Sequence, residues 1–454
     1  LLDILKGYRQ RKKYYRLKNG DFLSLEDNTL ATLEEMMAVL RLSPKELLKG
    51  DVKLPLYRAM YLDKLLEKNE EIYSNRDSHF REIVKDFKTV KDADFEVPPS
   101  LREVMRGYQR TGYRFLRTLE EYRLGGILAD DMGLGKTLQV IAVFLAARLE
   151  GKVRTSLVVA PASLVYNWGE EIGRFAPELT FLLVTGSQEE RLEKLEQYRN
   201  FDVVVTSYDL LKRDIAHYED KEFHYHVIDE AQYIKNHTTA AAAAVKGVRS
   251  HVRYALTGTP IENRLSELWS IFDFLIPGYL FGYDVFRNEF ESPIVKNEDQ
   301  AALERLQRMT VPFILRRMKQ NVLKDLPEKM EESRYVKFES SQQQLYDAQV
   351  IHMKQKIAMQ DAQEFQKNKM QILAELTKLR QICCDPVLCF ENYKGGSAKL
   401  EACMDLVCSA VEGGHKILLF SQFTSMLELV AKRMDQEKIS FYTITGATPK
   451  EKRL

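Results

Sequence analysis

A glycine-rich turn lies between a short apolar stretch and an apolar helical pattern, and its residue types suit phosphate chemistry. Residues 126–137 read GILADDMGLGKT. The two glycines allow the backbone to turn so that successive N–H groups point into one concavity that binds an anion. In such loops the lysine ammonium reaches the β and γ phosphates, and the following hydroxyl can be a ligand of Mg²⁺. The segment therefore predicts a nucleotide phosphate site built from Asp131, Met132, Gly133, Leu134, Gly135, Lys136 and Thr137.

The surroundings of this loop bear on the prediction in two ways. The full pattern G-x-x-x-x-G-K-[ST] would have glycine at position 130, where this chain has Asp130. For the loop alone, a glycine turn without a ligand is the alternative. After the loop, apolar residues recur at helical spacing, so the turn opens a helix as a phosphate site requires. These residues are Leu138, Ile141, Ala142, Leu145 and Leu149.

Two adjacent carboxylates follow a second apolar stretch. Residues 226–230 read HVIDE, which predicts a short buried strand ending in Asp229 and Glu230. Asp229 would hold Mg²⁺ directly or through water, and Glu230 would accept the proton of the attacking water. Such a pair alone is more often a solvated strand end. Together with the loop, it predicts a nucleotide site in which Lys136, Asp229 and Glu230 would be the catalytic residues.

An ordered series of motifs surrounds these two segments. DDMGLGKT at 130–137 is followed by DEAQ at 229–232, IKN at 234–236 and LTGTPIEN at 256–263. The series also includes MRGYQRTGYRFL at 105–116, SLVVAPASLVYNW at 156–168, VVVTSYDLL at 203–211, PFILRRMKQNVLKDLPEK at 312–329, LRQICCDPVL at 379–388, SAKL at 397–400 and KILLFSQF at 416–423. In order and spacing these motifs resemble the SWI/SNF-type ATPases, the translocases of helicase superfamily two. The resemblance covers about residues 100–454.

The resemblance implies roles for single positions, with ATP and Mg²⁺ as cofactors. Gln109 would read the adenine edge through its amide. Asp131 stands where relatives usually have Glu, and its role is open. Gln232 stands where many relatives have His, which leaves open how its motif acts on Thr257 and Thr259.

Double-stranded DNA is the partner that the resemblance implies, bound along its backbone across both lobes. Small hydroxyl residues and backbone amides after strands suit phosphate contacts that do not read sequence. The candidates are Ala162, Ser163, Thr206, Ser207, Tyr208, Ser421, Gln422, Gly446 and Arg453. Each of them alone is more often a turn or cap residue. Arg316, Arg317 and Lys319 form a basic cluster, which is either a solvated helix face or a site near the junction of the lobes.

The predicted fold class is α/β, a P-loop nucleotidase with RecA-like parallel-sheet lobes. Residues 98–262 would form the first lobe, with strands at 157–160, 203–206, 226–229 and 254–257. Residues 263–395 would be helical protrusions with a long helix around 341–384, and residues 396–454 would begin a second, incomplete lobe with a strand at 416–420.

Residues 1–97 would form an accessory region outside the motor, bounded by Pro98 and Pro99. The pair Asn19-Gly20 between alternating segments predicts a β-hairpin. Leu30, Leu33, Met37 and Leu40 share one helix face. This region resembles the helicase-associated region of some bacterial members, which favours a bacterial source.

Composition fits a large multidomain enzyme. The 454 residues are 45% hydrophobic, carry a net charge of +1 and contain no apolar run long enough to span a membrane. Five cysteines without a C-x-x-C pair argue against a zinc site and fit a reducing compartment. We expect a cytoplasmic, nucleoid-associated protein if it is bacterial and a nuclear one if it is eukaryotic.

The expected activity is ATP-dependent translocation on double-stranded DNA that remodels or displaces DNA-bound protein. The family's last two motifs, with the arginines that reach the γ phosphate, are absent before Leu454. We therefore expect this chain to bind ATP but to be inactive or weakly active alone. A nucleotide-gated binding or regulatory module and a strand-separating helicase are the alternatives.

Overall fold

The computed structural model describes residues 2–10, 12–17, 20–25, 28–47, 49, 52–68, 75–89, 95–152, 154–258, 264–322, 330–358 and 368–448. The chain divides into two compact units, residues 1–327 and residues 328–454. Among the described residues, no helix is both long and apolar enough to cross a membrane.

One parallel sheet of seven strands forms the centre of the first unit. Its order is β5-β6-β4-β7-β8-β3-β9, and each neighbouring pair is parallel. The strands are β3 (Gly126–Leu128), β4 (Ser156–Ala160), β5 (Phe181–Leu183), β6 (Val203–Ser207), β7 (Glu222–Ile228), β8 (Arg249–Leu256) and β9 (Ile314–Leu315). The predicted α/β class and its four strands are confirmed.

The central strands form where apolar runs can be buried on both faces. β4 and β6 are buried along their whole lengths, as β-branched residues in the middle of a parallel sheet should be. The helices that precede or connect the strands from β3 to β8 are α6 (Gly107–Glu121), α7 (Lys136–Leu149), α8 (Val165–Phe175), α9 (Gln188–Glu196), α10 (Tyr208–Asp214) and α11 (Ala240–Gly247). Because all strands run the same way, the residues that follow them meet at one edge of the sheet.

The described residues 264–322 belong to this unit as well, whereas the sequence predicts helical protrusions that begin at 263. The segment contains α12 (Leu265–Leu275), α13 (Tyr283–Phe286), a π-helical turn (Arg287–Glu291), α14 (Ser292–Asn297), α15 (Gln300–Thr310) and α16 (Lys319–Val322). Phe272 and Phe313 lie in the same core as the sheet. The apolar segment that follows α15 forms the edge strand β9, which pairs with β3.

The N-terminal region forms α1 (Leu2–Arg9), β1 (Tyr14–Arg16), β2 (Phe22–Ser24), α2 (Asn28–Leu40), α3 (Pro44–Leu47), α4 (Ala59–Lys68) and α5 (Ser78–Lys88). β1 and β2 pair antiparallel, which confirms the predicted hairpin, although Asn19 lies outside the described residues. Tyr61 and Leu65 join the main core, and Arg58 Nη2 donates to Tyr279 O at 2.8 Å. The region therefore packs within the first unit.

The second unit is helical in its described part. It contains α17 (Ser340–Ala358), α18 (Lys369–Cys384), α19 (Ala398–Glu412) and α20 (Thr424–Gln436). Residues 359–367 of the predicted long helix lie outside the described residues. A core lies between α19 and α20, where Leu400 and Met404 cluster with Val430 and Met434.

The strand predicted at 416–420 is not formed. Leu418 and Phe420 are 85% and 87% exposed, and no strand lies beside them among the described residues of this unit. A strand needs a neighbour for its backbone hydrogen bonds, so an apolar run without a paired neighbour stays irregular.

Candidate nucleotide site

The phosphate loop connects β3 to α7. Gly133 and Gly135 have φ of +82° and +71°, a left-handed conformation that favours glycine. Gly135 caps α7, so the N-terminal end of this 14-residue helix opens onto the loop. Lys136 and Thr137 are half-buried, and Lys136 Nζ donates to Asp130 O at 2.8 Å. The predicted loop geometry is present.

The two carboxylates lie at the same edge of the sheet, directly after β7. Asp229 is only 7% exposed, and its Oδ2 accepts a hydrogen bond from Trp168 Nε1 at 3.0 Å. No local signal in the sequence indicates Trp168, which lies 61 residues earlier in the chain. Glu230 has a φ of +51°, a conformation that costs a non-glycine residue about 1–3 kcal/mol and occurs at functional sites.

A side-chain amide connects Glu230 to the end of the next strand. Gln232 Nε2 donates to Glu230 Oε2 at 2.8 Å, and Gln232 Oε1 accepts from Thr257 Oγ1 at 3.1 Å. An amide can do both at once because it carries a donor and an acceptor on one plane. The contact between this motif and Thr257, left open by the sequence, is therefore made by Gln232. Thr259 lies outside the described residues.

The electrostatics of Asp229 depend on its burial. Burial raises the pKa of the Asp229 carboxyl, and the charge of Glu230 raises it further. The hydrogen bond from Trp168 and the charge of Lys136 lower this pKa and so favour the ionised form. Lys136 is thus the cation of the phosphate loop that acts on the Asp229 carboxyl.

We expect Mg²⁺-dependent nucleotide binding to weaken on acidification, with a midpoint above about pH 3.9, the ordinary pKa of aspartate. Protons compete with the metal for the Asp229 carboxylate, whose pKa is raised. Trp168→Phe removes a hydrogen bond to the ionised form, so it should move this midpoint to higher pH.

Because the folded chain holds the proton of Asp229 more tightly than the unfolded chain, the free energy of unfolding should fall as pH rises from about 3.9 through the raised pKa.

Calorimetric titration with Mg²⁺ and ATP across the acid range measures the midpoint. Trp269→Phe is the matched control, because Trp269 Nε1 donates to Phe281 O at 3.1 Å and not to a carboxylate. Equal midpoints for the two variants would contradict the role given to Trp168.

Gln109 lies on α6 and its amide contacts the phosphate loop. Its Nε2 donates to Leu134 O at 3.1 Å, and its Oε1 accepts from Arg106 N at 2.9 Å. A β-carbon at Gly135 would lie too close to Gln109 Nε2, so this amide would have to move, and the positive φ is the stronger reason for glycine at position 135. The adenine-reading role of Gln109 stays a prediction.

Arg317 is a second residue whose place the sequence did not predict. The Asp130 carboxylate is fully buried, and Arg317 donates to it from Nε at 2.8 Å and also from Nη2. Arg317 Nη2 also donates to Gln139 Oε1 at 2.7 Å, and Nη1 contacts Tyr108 O. Asp130 is not among the residues with positive φ, so the glycine of the full pattern is not needed at this position. No local signal predicts a pair separated by 187 residues.

The residues predicted to contact DNA are partly accessible. Exposed residues are Ala162, Ser163, Gln422 and Gly446, while Ser421 is half-buried and Arg453 lies outside the described residues. Their contact with DNA stays a prediction.

Three of the predicted DNA contacts are buried in the first unit. Thr206 Oγ1 donates to Val184 O at 3.2 Å, and Tyr208 Oη donates to Asp229 O at 2.7 Å. The Ser207 hydroxyl accepts from a backbone N–H in the first turn of α10 at 3.4 Å. These three side chains already bond to neighbouring backbone, as buried hydroxyls do, and their contact with DNA stays a prediction.

Comparisons with known proteins match these motifs. The family described as SNF2-related domain matches residues 108–388, and the family described as bacterial SNF2 helicase associated matches residues 1–98. An uncharacterized ATP-dependent helicase of Mycoplasma genitalium is 38% identical over 347 residues, which are 75% of this chain and 32% of that protein. The putative ATP-dependent helicase/translocase YwqA of Bacillus subtilis is 35% identical over 376 residues, 79% of this chain and 40% of YwqA.

A solved structure is similar as well. The Sulfolobus solfataricus SWI2/SNF2 ATPase core in complex with dsDNA is 38% identical, with a TM-score of 0.48, over 73% of this chain and 70% of that one. This chain spans about a third of the length of the Mycoplasma relative, 32%. The family match alone covers more than half of the chain. The chain therefore belongs to the SNF2-related family, and its residues 1–98 match the family described as bacterial SNF2 helicase associated.

Proposed function

We propose that this chain is the ATP-binding part of a motor that moves along double-stranded DNA and remodels or displaces bound protein. The observation that carries the proposal is the meeting of three groups at one sheet edge: the phosphate loop with Lys136, the carboxylates Asp229 and Glu230, and the Gln232–Thr257 link. Lys136 would hold phosphate, and Glu230 would accept the proton of the attacking water.

The donor set fits Mg²⁺, the metal that accompanies ATP in this chemistry. Thr137 and Asp229 offer oxygen ligands of the kind that Mg²⁺ prefers. Asp229 is a buried carboxyl whose raised pKa a divalent cation would lower. Bound Mg²⁺ would neutralise phosphate charge, and Trp168 would orient the Asp229 carboxylate toward it.

DNA as partner rests on family membership and on relatives named helicase or translocase. Ala162 and Ser163 follow β4 at the sheet edge, exposed and suited to backbone phosphate contacts. Residues 1–97 would act as an accessory region, and residues 396–454 would begin a second lobe with Ser421, Gln422, Gly446 and Arg453 on DNA. Because these relatives are bacterial, we propose that the protein acts at the nucleoid in the cytoplasm.

The test uses the full-length protein and measures ATP hydrolysis with and without duplex DNA. Stimulation by duplex, with displacement of a third strand from a triplex, is expected of a translocase. Equal rates with and without DNA would favour the nucleotide-gated module. Release of a labelled strand from a plain duplex would favour the strand-separating helicase.

A further inference from the structure

The segment that follows β9 runs beside the phosphate loop and bonds to it in register. Ala129 N donates to Leu315 O at 2.7 Å, and Asp131 N donates to Arg317 O at 3.0 Å. Lys319 N then donates to Asp131 Oδ2 at 2.9 Å. Asp131, whose role the sequence left open, therefore anchors the backbone of Lys319 to the loop.

The Lys319 side chain reaches the loop at a glycine. Its Nζ and Cε lie 3.3 Å and 3.4 Å from the point where a β-carbon on Gly133 would lie. Gly133 has positive φ and no side chain, so the ammonium approaches bare backbone. Within the described part of the chain, this ammonium has no carboxylate partner, whereas Lys136 Nζ donates to Asp130 O.

Two further contacts fix this arrangement. Arg317 joins the same segment to the buried Asp130 carboxylate, so the backbone that carries Lys319 is held on the loop from two sides. An exposed lysine usually keeps its ammonium in bulk water, because ordering four methylenes costs side-chain entropy. Here the anchored backbone places that ammonium beside the loop, where the described groups form no ion pair with it.

We propose that Lys319 is a second phosphate-binding ammonium of the nucleotide site, which takes a nucleoside di- or triphosphate. The inference rests on the proposed nucleotide binding and deepens it. A polyphosphate brings several negative charges to the loop, and a compact ammonium on a flexible stem can pair with them as a charge-assisted donor. The smallness of Gly133 then serves both the turn and the approach of Lys319.

The test is equilibrium binding of fluorescent ATP and ADP analogues to the 454-residue chain. Lys319→Ala should weaken binding about tenfold, the effect of losing a hydrogen bond to a charged group. Lys319→Arg should retain most of the affinity. Arg316→Ala is the matched control, since it removes one positive charge from the same exposed segment, and it should leave affinity nearly unchanged.

The outcomes separate this inference from the function beneath it. If the unaltered chain binds no nucleotide, the proposed function fails. A second outcome is that the unaltered chain binds nucleotide and that Lys136→Ala weakens this binding but Lys319→Ala does not. In that case the proposed function stands and the role of Lys319 is overturned. Equal losses for Lys319→Ala and Arg316→Ala would also overturn it, because net charge alone would then explain the effect. Unchanged thermal unfolding of each variant confirms that the fold is intact.

Discussion

Glu230→Gln is expected to lower ATP hydrolysis by the full-length protein by about 10²–10⁴-fold, the usual contribution of a general base. The substitution keeps the size and hydrogen-bonding oxygen of the side chain, so Gln232 Nε2 can still donate to it. It removes the negative charge and, with it, the ability to accept a proton from water. Affinity for ATP should therefore stay nearly unchanged, as measured by equilibrium binding beside steady-state turnover.

Lys136→Ala gives the contrasting result. Its ammonium is held at the loop by Asp130 O, where it can meet the phosphates in both the ground state and the transition state. Its loss should weaken nucleotide binding as well as turnover. Equal losses of affinity in the two variants would contradict the separate roles of the base and the phosphate ligand.

Local signals predicted much of this site because the chemistry is encoded in short segments. The phosphate loop needs Gly133 and Gly135 for positive φ, and both angles are observed. The β4 and β6 strands follow from continuous apolar runs, and the hairpin follows from an Asn-Gly pair. The sheet order could not be read from such segments, because β3, the first strand of the sheet, lies between β8 and β9.

Long-range pairs were not predictable for the same reason. Trp168 meets Asp229 across 61 residues, and Arg317 meets Asp130 across 187. The direction in which a polar side chain near a motif points cannot be read from the sequence either, and Tyr208, a predicted DNA contact, is an example. Its hydroxyl instead supports Asp229 O at the buried edge of the sheet.

Arg317→Ala is expected to lower the free energy of unfolding of the first unit by about 3–5 kcal/mol. This is the usual cost of removing one partner of a buried ion pair and leaving the other charge without compensation. The Asp130 side chain is 0% exposed, so its carboxylate would lose its cation without gaining water. Both tryptophans of the chain, Trp168 and Trp269, lie in residues 1–327. Denaturant unfolding followed by tryptophan fluorescence therefore reports this unit.

Asp130→Asn in the Arg317→Ala background tests whether the unpaired charge causes the loss. The double variant should be more stable than Arg317→Ala alone, because a neutral amide costs less to bury than a carboxylate without its partner. Arg316→Ala, which removes the neighbouring exposed arginine, should change the free energy of unfolding by no more than about 0.5 kcal/mol. Similar small effects of Arg316→Ala and Arg317→Ala would mean that the Asp130–Arg317 pair does not hold the phosphate loop in place. A large loss with Arg317→Ala, partly restored by Asp130→Asn, would establish that the loop depends on the chain segment that follows β9.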